Sequence, residues 1–222
     1  MKRKKRRPLK KDEKAVSILV IHPLGHAAIL AGGRSRRMGQ DKAGLHIGGE
    51  PLLLRVVHVL QALPSEVVII GPRERAALAP GIPIIADRWP NCGPLGGIAS
   101  ALAACSQESV LVVGCDMPFL NAPLLRYLTE LVPGYDAVVV RVDGREHTLH
   151  AVYQRRCLPV LEKQLAAGNL RVRDFLKQLE VRFVEGLDLE RFDPTHLSVF
   201  NVNTPEEWQQ ALRMLAAKKK YI

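Results

Sequence analysis

Residues 30–42 of this 222-residue chain read LAGGRSRRMGQDK. The Gly32-Gly33 pair can turn backbone N–H groups toward phosphate oxygens, and Arg34, Arg36, Arg37 and Lys42 supply compensating charge. Such a segment is a phosphate cradle by its chemistry. It is not a Walker A loop, because no GK[ST] follows, and it lacks GxGxxG spacing. The competing account is an ordinary Gly-Gly turn with solvated arginines, since glycine pairs are common turn punctuation.

A second candidate is Gly114-Cys115-Asp116-Met117-Pro118, an acid behind a buried apolar run. A carboxylate there can hold Mg²⁺, which binds through one or two carboxylates plus substrate phosphates. By spacing alone, Asp116 can equally cap a following helix. Asp87 also follows an apolar run, where an aspartate commonly serves a turn. Gly93-Pro94-Leu95-Gly96-Gly97 reads as a loop before a helix. It would admit a bulky ligand to the backbone, or let the helix lie close on a sheet. In Asn201-Val202-Asn203-Thr204-Pro205, alternation along an extended backbone would point both amides to one side; either could instead serve a turn. His147 and His150 show no metal-ligand pattern. Cys92, Cys105, Cys115 and Cys157 lack CxxC spacing and suit free thiols in a reducing cytoplasm.

These candidates need strand ends to hold them. Apolar runs at 27–30, 67–70, 82–86, 110–114 and 137–142 read as strands, with a further strand at 151–153 and shorter pieces at 183–184 and 198–201. Helices are expected at 51–60, 73–78, 118–131, 158–167, 172–179 and 205–217, the last opened by Thr204-Pro205-Glu206-Glu207. This alternation predicts an α/β class with a mostly parallel sheet. In such a sheet ligands gather at the carboxyl ends of strands, where the glycine segment, Asp87 and Asp116 all fall.

Length and a 47% apolar composition suit one domain. The formal charge of +10 is local: residues 1–14 carry nine Lys or Arg against Asp12 and Glu13, and Lys218, Lys219 and Lys220 add three more. The body between is close to neutral, which argues against a basic groove for nucleic acid. A like-charged run of this kind predicts a disordered tail. His22, Pro23, Gly25 and His26 interrupt the only stretch resembling a secretory signal, and the apolar runs fall short of the ~20 residues of a membrane span. A cytoplasmic location is expected.

Taken together, LAGGRSRRMGQDK, DRWPNCGPLGGI, GCDMPF and NVNTPEEW stand in the order and approximate spacing of the molybdenum cofactor guanylyltransferases. The chain resembles that family over residues 26–215. The resemblance implies a single three-layer, Rossmann-like nucleotidyltransferase domain at 26–217. A basic disordered tail at 1–14, an extension or extra strand at 15–25 and a basic end at 218–222 flank it. The implied reaction transfers GMP from GTP to the terminal phosphate of Mo-molybdopterin with Mg²⁺, giving a guanine dinucleotide cofactor and pyrophosphate. By position, Leu30, Ala31, Gly32, Gly33 and Lys42 would bind GTP, Asp87 would hold the guanosine part, and Asp116 would bind GTP and Mg²⁺. Arg37, Gly96, Gly97, Arg171, Asn201 and Asn203 would line the molybdopterin side, with Lys42, Arg37 and Asp116 catalytic. Some family members carry an Asn after the second strand; here Ile70-Gly71 stands instead, leaving guanine readout to backbone groups such as Gly71 and to Asp87. Cofactor-supplying or molybdoenzyme-related proteins are the implied partners. Cytidylyl transfer, another nucleotidyl transfer, and an RNA- or partner-binding role for the tail are the alternatives.

Overall fold

The computed structural model describes residues 26–33, 41–63 and 65–218. The expected tail, the 15–25 extension, Arg37 and the chain beyond Lys218 lie outside them. The strands are β1 (His26–Leu30), β2 (His46–Ile47), β3 (Glu50–Pro51), β4 (Glu66–Ile70), β5 (Ile84–Ile85), β6 (Ser109–Gly114), β7 (Ala137–Val142), β8 (Arg145–Gln154) and β9 (Val181–Val184). The helices are α1 (Leu52–Gln61), α2 (Gly93–Ala104), α3 (Ala122–Glu130), α4 (Leu158–Ala166), α5 (Val172–Leu176), α6 (Leu187–Glu190) and α7 (Pro205–Lys218).

Seven strands form one sheet in the order β5-β4-β1-β6-β8-β7-β9. Only β8 runs against its neighbours β6 and β7. The sheet is therefore mostly parallel, and both faces are covered. Alternation along each strand splits the core in two: Ala27, Ile29, Leu111 and Val113 pack with Leu53, Val56, Leu124 and Leu128 from α1 and α3. Ala28, Val110, Val112 and Ala151 pack on the other face with Leu95, Ile98, Leu102 and Phe175 from α2 and α5. This is the expected three-layer α/β architecture. A small third core joins Leu45, Ile47, Leu52, Phe119, Val202 and Ala211, fastening the β2–β3 hairpin to α7.

Several expected boundaries shift for identifiable reasons. The run at 82–86 pairs only over Ile84–Ile85, because it lies at the sheet edge with one neighbour. The helix expected from Pro118 begins at Ala122, where Asn121 Oδ1 accepts the Leu124 N–H at 3.0 Å. Gly93 to Gly97 is not a loop but the opening of α2, after Asn91 and Gly93 take positive φ values of 65° and 62°. Residues 198–201 are not strand: Leu197–Val199 is a 3-10 turn whose N–H groups at Leu197 and Ser198 are held by Asp193. β8 is far longer than the expected 151–153, since its polar first half still pairs with β7. Among the described residues, no helix is long and apolar enough to cross a membrane.

Candidate nucleotide site at the carboxyl ends of the strands

The central strands end together. Leu30 of β1 sits in register with Ile70 of β4 and Gly114 of β6, so Ala31, Gly71 and Cys115 leave the sheet side by side. The ladder runs one residue further on both flanks: Ala31 N–H donates to Ile70 O at 2.9 Å, and Cys115 N–H to Leu30 O at 3.2 Å. Gly71 is packed so tightly that a Cβ there would lie 3.1 Å from the Ala31 carbonyl. Gly32 and Gly33 are exposed at this end. A Cβ on Gly32 would sit 4.0 Å from Asp87 Oδ2, so the glycine segment faces Asp87. Asp87 is oriented through its other oxygen, which accepts from Ser100 Oγ at 2.6 Å and from Trp89 N–H at 3.0 Å. Ser100 is fully buried in α2.

Lys42, Asp116 and Asn203 come from three distant parts of the chain and meet. Lys42 Nζ donates to Asn203 Oδ1 at 2.7 Å and lies 3.7 Å from Asp116 Oδ2. The local folding that brings them there is simple. Asp41 Oδ1 accepts the Ala43 N–H and caps the 3-10 turn Lys42–Gly44. Val202 N–H donates to Asp116 O at 2.9 Å, tying the last segment to the end of β6. Thr204 and Glu207 form a capping box at the start of α7, and Glu207 Oε2 also accepts the Asn203 N–H at 2.5 Å. Val202 is buried, while Asn201 and Asn203 on either side of it are half-buried.

Asp116 caps no helix; Asn121 does that for α3. Burial pushes the Asp116 carboxyl above the usual carboxylate range, and the Lys42 ammonium opposes the shift. An anion in such surroundings favours a cationic partner. No group of three or more acidic, His or Cys residues suited to a metal ion occurs among the described residues. The donor set, one carboxylate beside a phosphate-compatible lysine, fits Mg²⁺ that arrives with a nucleoside triphosphate.

The expected molybdopterin-side residues divide. Gly96 and Gly97 are buried inside α2: a Cβ on Gly96 would lie 2.5 Å from Trp89 O, and one on Gly97 2.7 Å from Leu30 Cδ1. The lack of a side chain at Gly97 lets α2 lie against Leu30 of β1, and at Gly96 it lets the Trp89–Cys92 loop fold onto the start of the helix. Arg171 is exposed at the start of α5, where its backbone N–H is held by Asn169 Oδ1. Arg75, which belongs to none of the sequence motifs, is only 9% exposed. Its Nε donates to Ala31 O at 3.1 Å and its Nη1 pairs with Asp41. In the sequence RERAA it looks like a surface-helix residue, and no local pattern announces partners 44 and 34 positions away. Among the four free cysteines, burial pushes the Cys115 thiol up to about 12 and Cys105 to about 11. Both pack as inert small groups.

Residues 27–183 match the family model described as the MobA-like NTP transferase domain. A Pelotomaculum thermopropionicum protein named "Probable molybdenum cofactor guanylyltransferase" is 40% identical over 192 residues, which cover 86% of this chain and 93% of that protein. A Syntrophotalea carbinolica protein named "Molybdenum cofactor guanylyltransferase" is 30% identical over 188 residues, 84% of this chain and 90% of its own. The solved structure of molybdopterin-guanine dinucleotide biosynthesis protein A from Archaeoglobus fulgidus superposes with a TM-score of 0.76 at 26% identity. It covers 86% of this chain and 99% of its own.

Proposed function

Because the chain belongs to the MobA-like NTP transferase family, we infer that it is a molybdenum cofactor guanylyltransferase: it transfers GMP from GTP to molybdopterin, forming the guanine dinucleotide cofactor and releasing pyrophosphate. The observation that carries this reading is the convergence of Lys42, Asp116 and Asn203 beside the exposed Gly32 and Gly33. That convergence sits within a chain 40% identical to a protein named for the reaction.

The terminal phosphate of molybdopterin attacks the α-phosphorus of GTP in line. A new P–O bond forms as the bond to the β-phosphate oxygen breaks, and pyrophosphate leaves with the electron pair. The nucleophile is already an anion, so no general base is needed. What the chain must supply is alignment and charge neutralisation. Backbone N–H groups at Gly32 and Gly33 receive phosphate oxygens, and Lys42 places its ammonium on the triphosphate. Asp87, fixed by Ser100 and Trp89, faces the glycine segment and holds the guanosine part. With Ile70-Gly71 at the end of β4, base readout falls to Asp87 and to backbone groups. Asp116 would hold Mg²⁺, which when bound polarises the α-phosphate. Asn201 and Asn203 face the acceptor, with Arg171 supplying charge from the start of α5. Gly96 and Gly97 act on that side by letting the Trp89 loop and β1 close on the start of α2. Arg37 is assigned on its place in the motif alone.

Pyrophosphate release measured with GTP, CTP and UTP, each offered molybdopterin or a sugar 1-phosphate, tests the reading. Turnover is expected with GTP and molybdopterin. Preference for CTP, or for the sugar phosphate, overturns it.

A further inference from the structure

Arg75 is a buried cation whose location in the core has no packing rationale of its own. A guanidinium removed from water is costly unless its charge and donors are matched, and a methionine would fill similar space without that cost. Its partners are a backbone carbonyl and a carboxylate at the edge of the site. Nε donates to the carbonyl of Ala31, the first residue beyond β1, and Nη1 pairs with the carboxylate of Asp41, the residue before Lys42. The two partners are ten positions apart and bound the glycine segment at either end.

The rest of the arrangement transmits that grip. Arg75 is itself fixed on the 3-10 turn Arg73–Ala77, where its N–H donates to Pro72 O at 3.1 Å and its carbonyl accepts from Leu78 and Ala79. That turn follows β4, whose Ile70 carbonyl already receives the Ala31 N–H. Asp41 divides its oxygens: Oδ2 faces Arg75, and Oδ1 caps the turn that begins at Lys42. The direction of the Lys42 side chain, toward Asn203 and Asp116, thus depends on a backbone that Asp41 orients and Arg75 holds.

We propose that Arg75 is a positioning residue for nucleotide transfer: it clips Ala31 to Asp41 and so sets the aim of Lys42. The proposal rests on the guanylyl-transfer reading above. It adds a residue outside the LAGGRSRRMGQDK motif to the machinery that motif forms.

The test compares wild type, Arg75→Met, Arg75→Lys, Asp41→Asn and the Arg75→Met/Asp41→Asn double variant of the full chain. Melting temperature is followed alongside kcat and KM for GTP with Mg²⁺. Asp41→Asn keeps a side-chain oxygen to cap Ala43 and turns an NH2 donor toward Arg75 in place of the carboxylate oxygen, which breaks the clip while leaving the cap. Arg75→Met and Asp41→Asn are each expected to lower kcat/KM by about tenfold or more, with Arg75→Lys recovering part of the loss. The double variant should fall no more than about threefold below the worse single one, because one clip is broken twice. A merely structural arginine would lower melting temperature without that non-additivity. Either kcat/KM within about threefold of wild type in Arg75→Met, or a double loss equal to the product of the single losses, overturns the proposal. Should Arg75→Met not fold, Asp41→Asn decides alone by the same tenfold and threefold limits. If wild type prefers another nucleotide to GTP, the functional reading falls, and the same variants assayed with that nucleotide still decide the clip.

Discussion

The proposed metal-nucleotide role of Asp116 runs against the interest of stability. Burial raises its pKa, so folding favours the protonated form. The stabilisation attached to that proton is complete below the unfolded-state pKa and is gone once pH has risen past the folded value. At neutral pH the ionised group therefore works against the fold of the nucleotide-free chain. Asp116→Asn is expected to melt no lower than wild type at neutral pH while losing nearly all turnover. A variant that keeps more than about a tenth of the wild-type rate, a loss under ~1.4 kcal/mol, removes Asp116 from the metal-nucleotide site. The placement of Asp116 and Lys42 on one face was legible in the sequence, because an acid directly after a buried strand and a lysine in the segment after another both fall at strand ends. Arg75 was not, since both of its site contacts are long-range.

Among the elements, α2 carries the clearest structural demand. A methyl group on Gly96 would meet backbone, 2.5 Å from the Trp89 carbonyl oxygen, whereas one on Gly97 would meet only the end of the Leu30 side chain at 2.7 Å. Backbone cannot yield and a side-chain end can rotate. Gly96→Ala is thus expected to cost about 2–3 kcal/mol in denaturant unfolding and Gly97→Ala roughly 1 kcal/mol or less; equal losses would contradict packing as the reason for the pair. β8 offers a pH test. His150 is fully buried there, burial lowers its pKa to about 4, and neighbouring His147 adds to that while Asp193 and the Ser198 backbone oppose it. The unfolded chain takes up a proton between the ordinary 6.5 and about 4 that the folded chain refuses, so stability present above that window is lost as pH falls through it. His150→Leu should flatten the decline of melting temperature between pH 7 and pH 4.5; parallel curves for the two proteins would show that His150 is not the group responsible. The apolar centre of the sheet was readable from β1, β4 and β6 because their side chains alternate between two cores. The polar first half of β8 and the turn Leu197–Val199 were not, since pairing with β7 and capping by Asp193 decide them.

At the scale of the whole molecule, charge and catalysis are separated along the chain. The net +10 resides almost entirely in residues 1–14 and 218–220, while a polyanionic substrate must be gripped by the near-neutral domain between them. On the proposed function, local geometry achieves this: Lys42 is held by Asn203 and Asp116 in partly buried surroundings, where one charge counts for more than several solvated ones. The family match begins only at residue 27, past the basic run. Removal of residues 1–14 is therefore expected to leave kcat and KM for GTP within about twofold of the full chain. The same removal takes away a net charge of +7. Binding to a polyanion such as heparin or single-stranded RNA should then drop sharply, together with the slope of its salt dependence, which follows the number of phosphates neutralised. Assaying both chains for pyrophosphate release and for polyanion binding across a salt series separates the two roles. A truncated chain with an equally steep salt slope would place the polyanion-binding charge outside residues 1–14, and a raised KM for GTP would make the tail part of substrate capture.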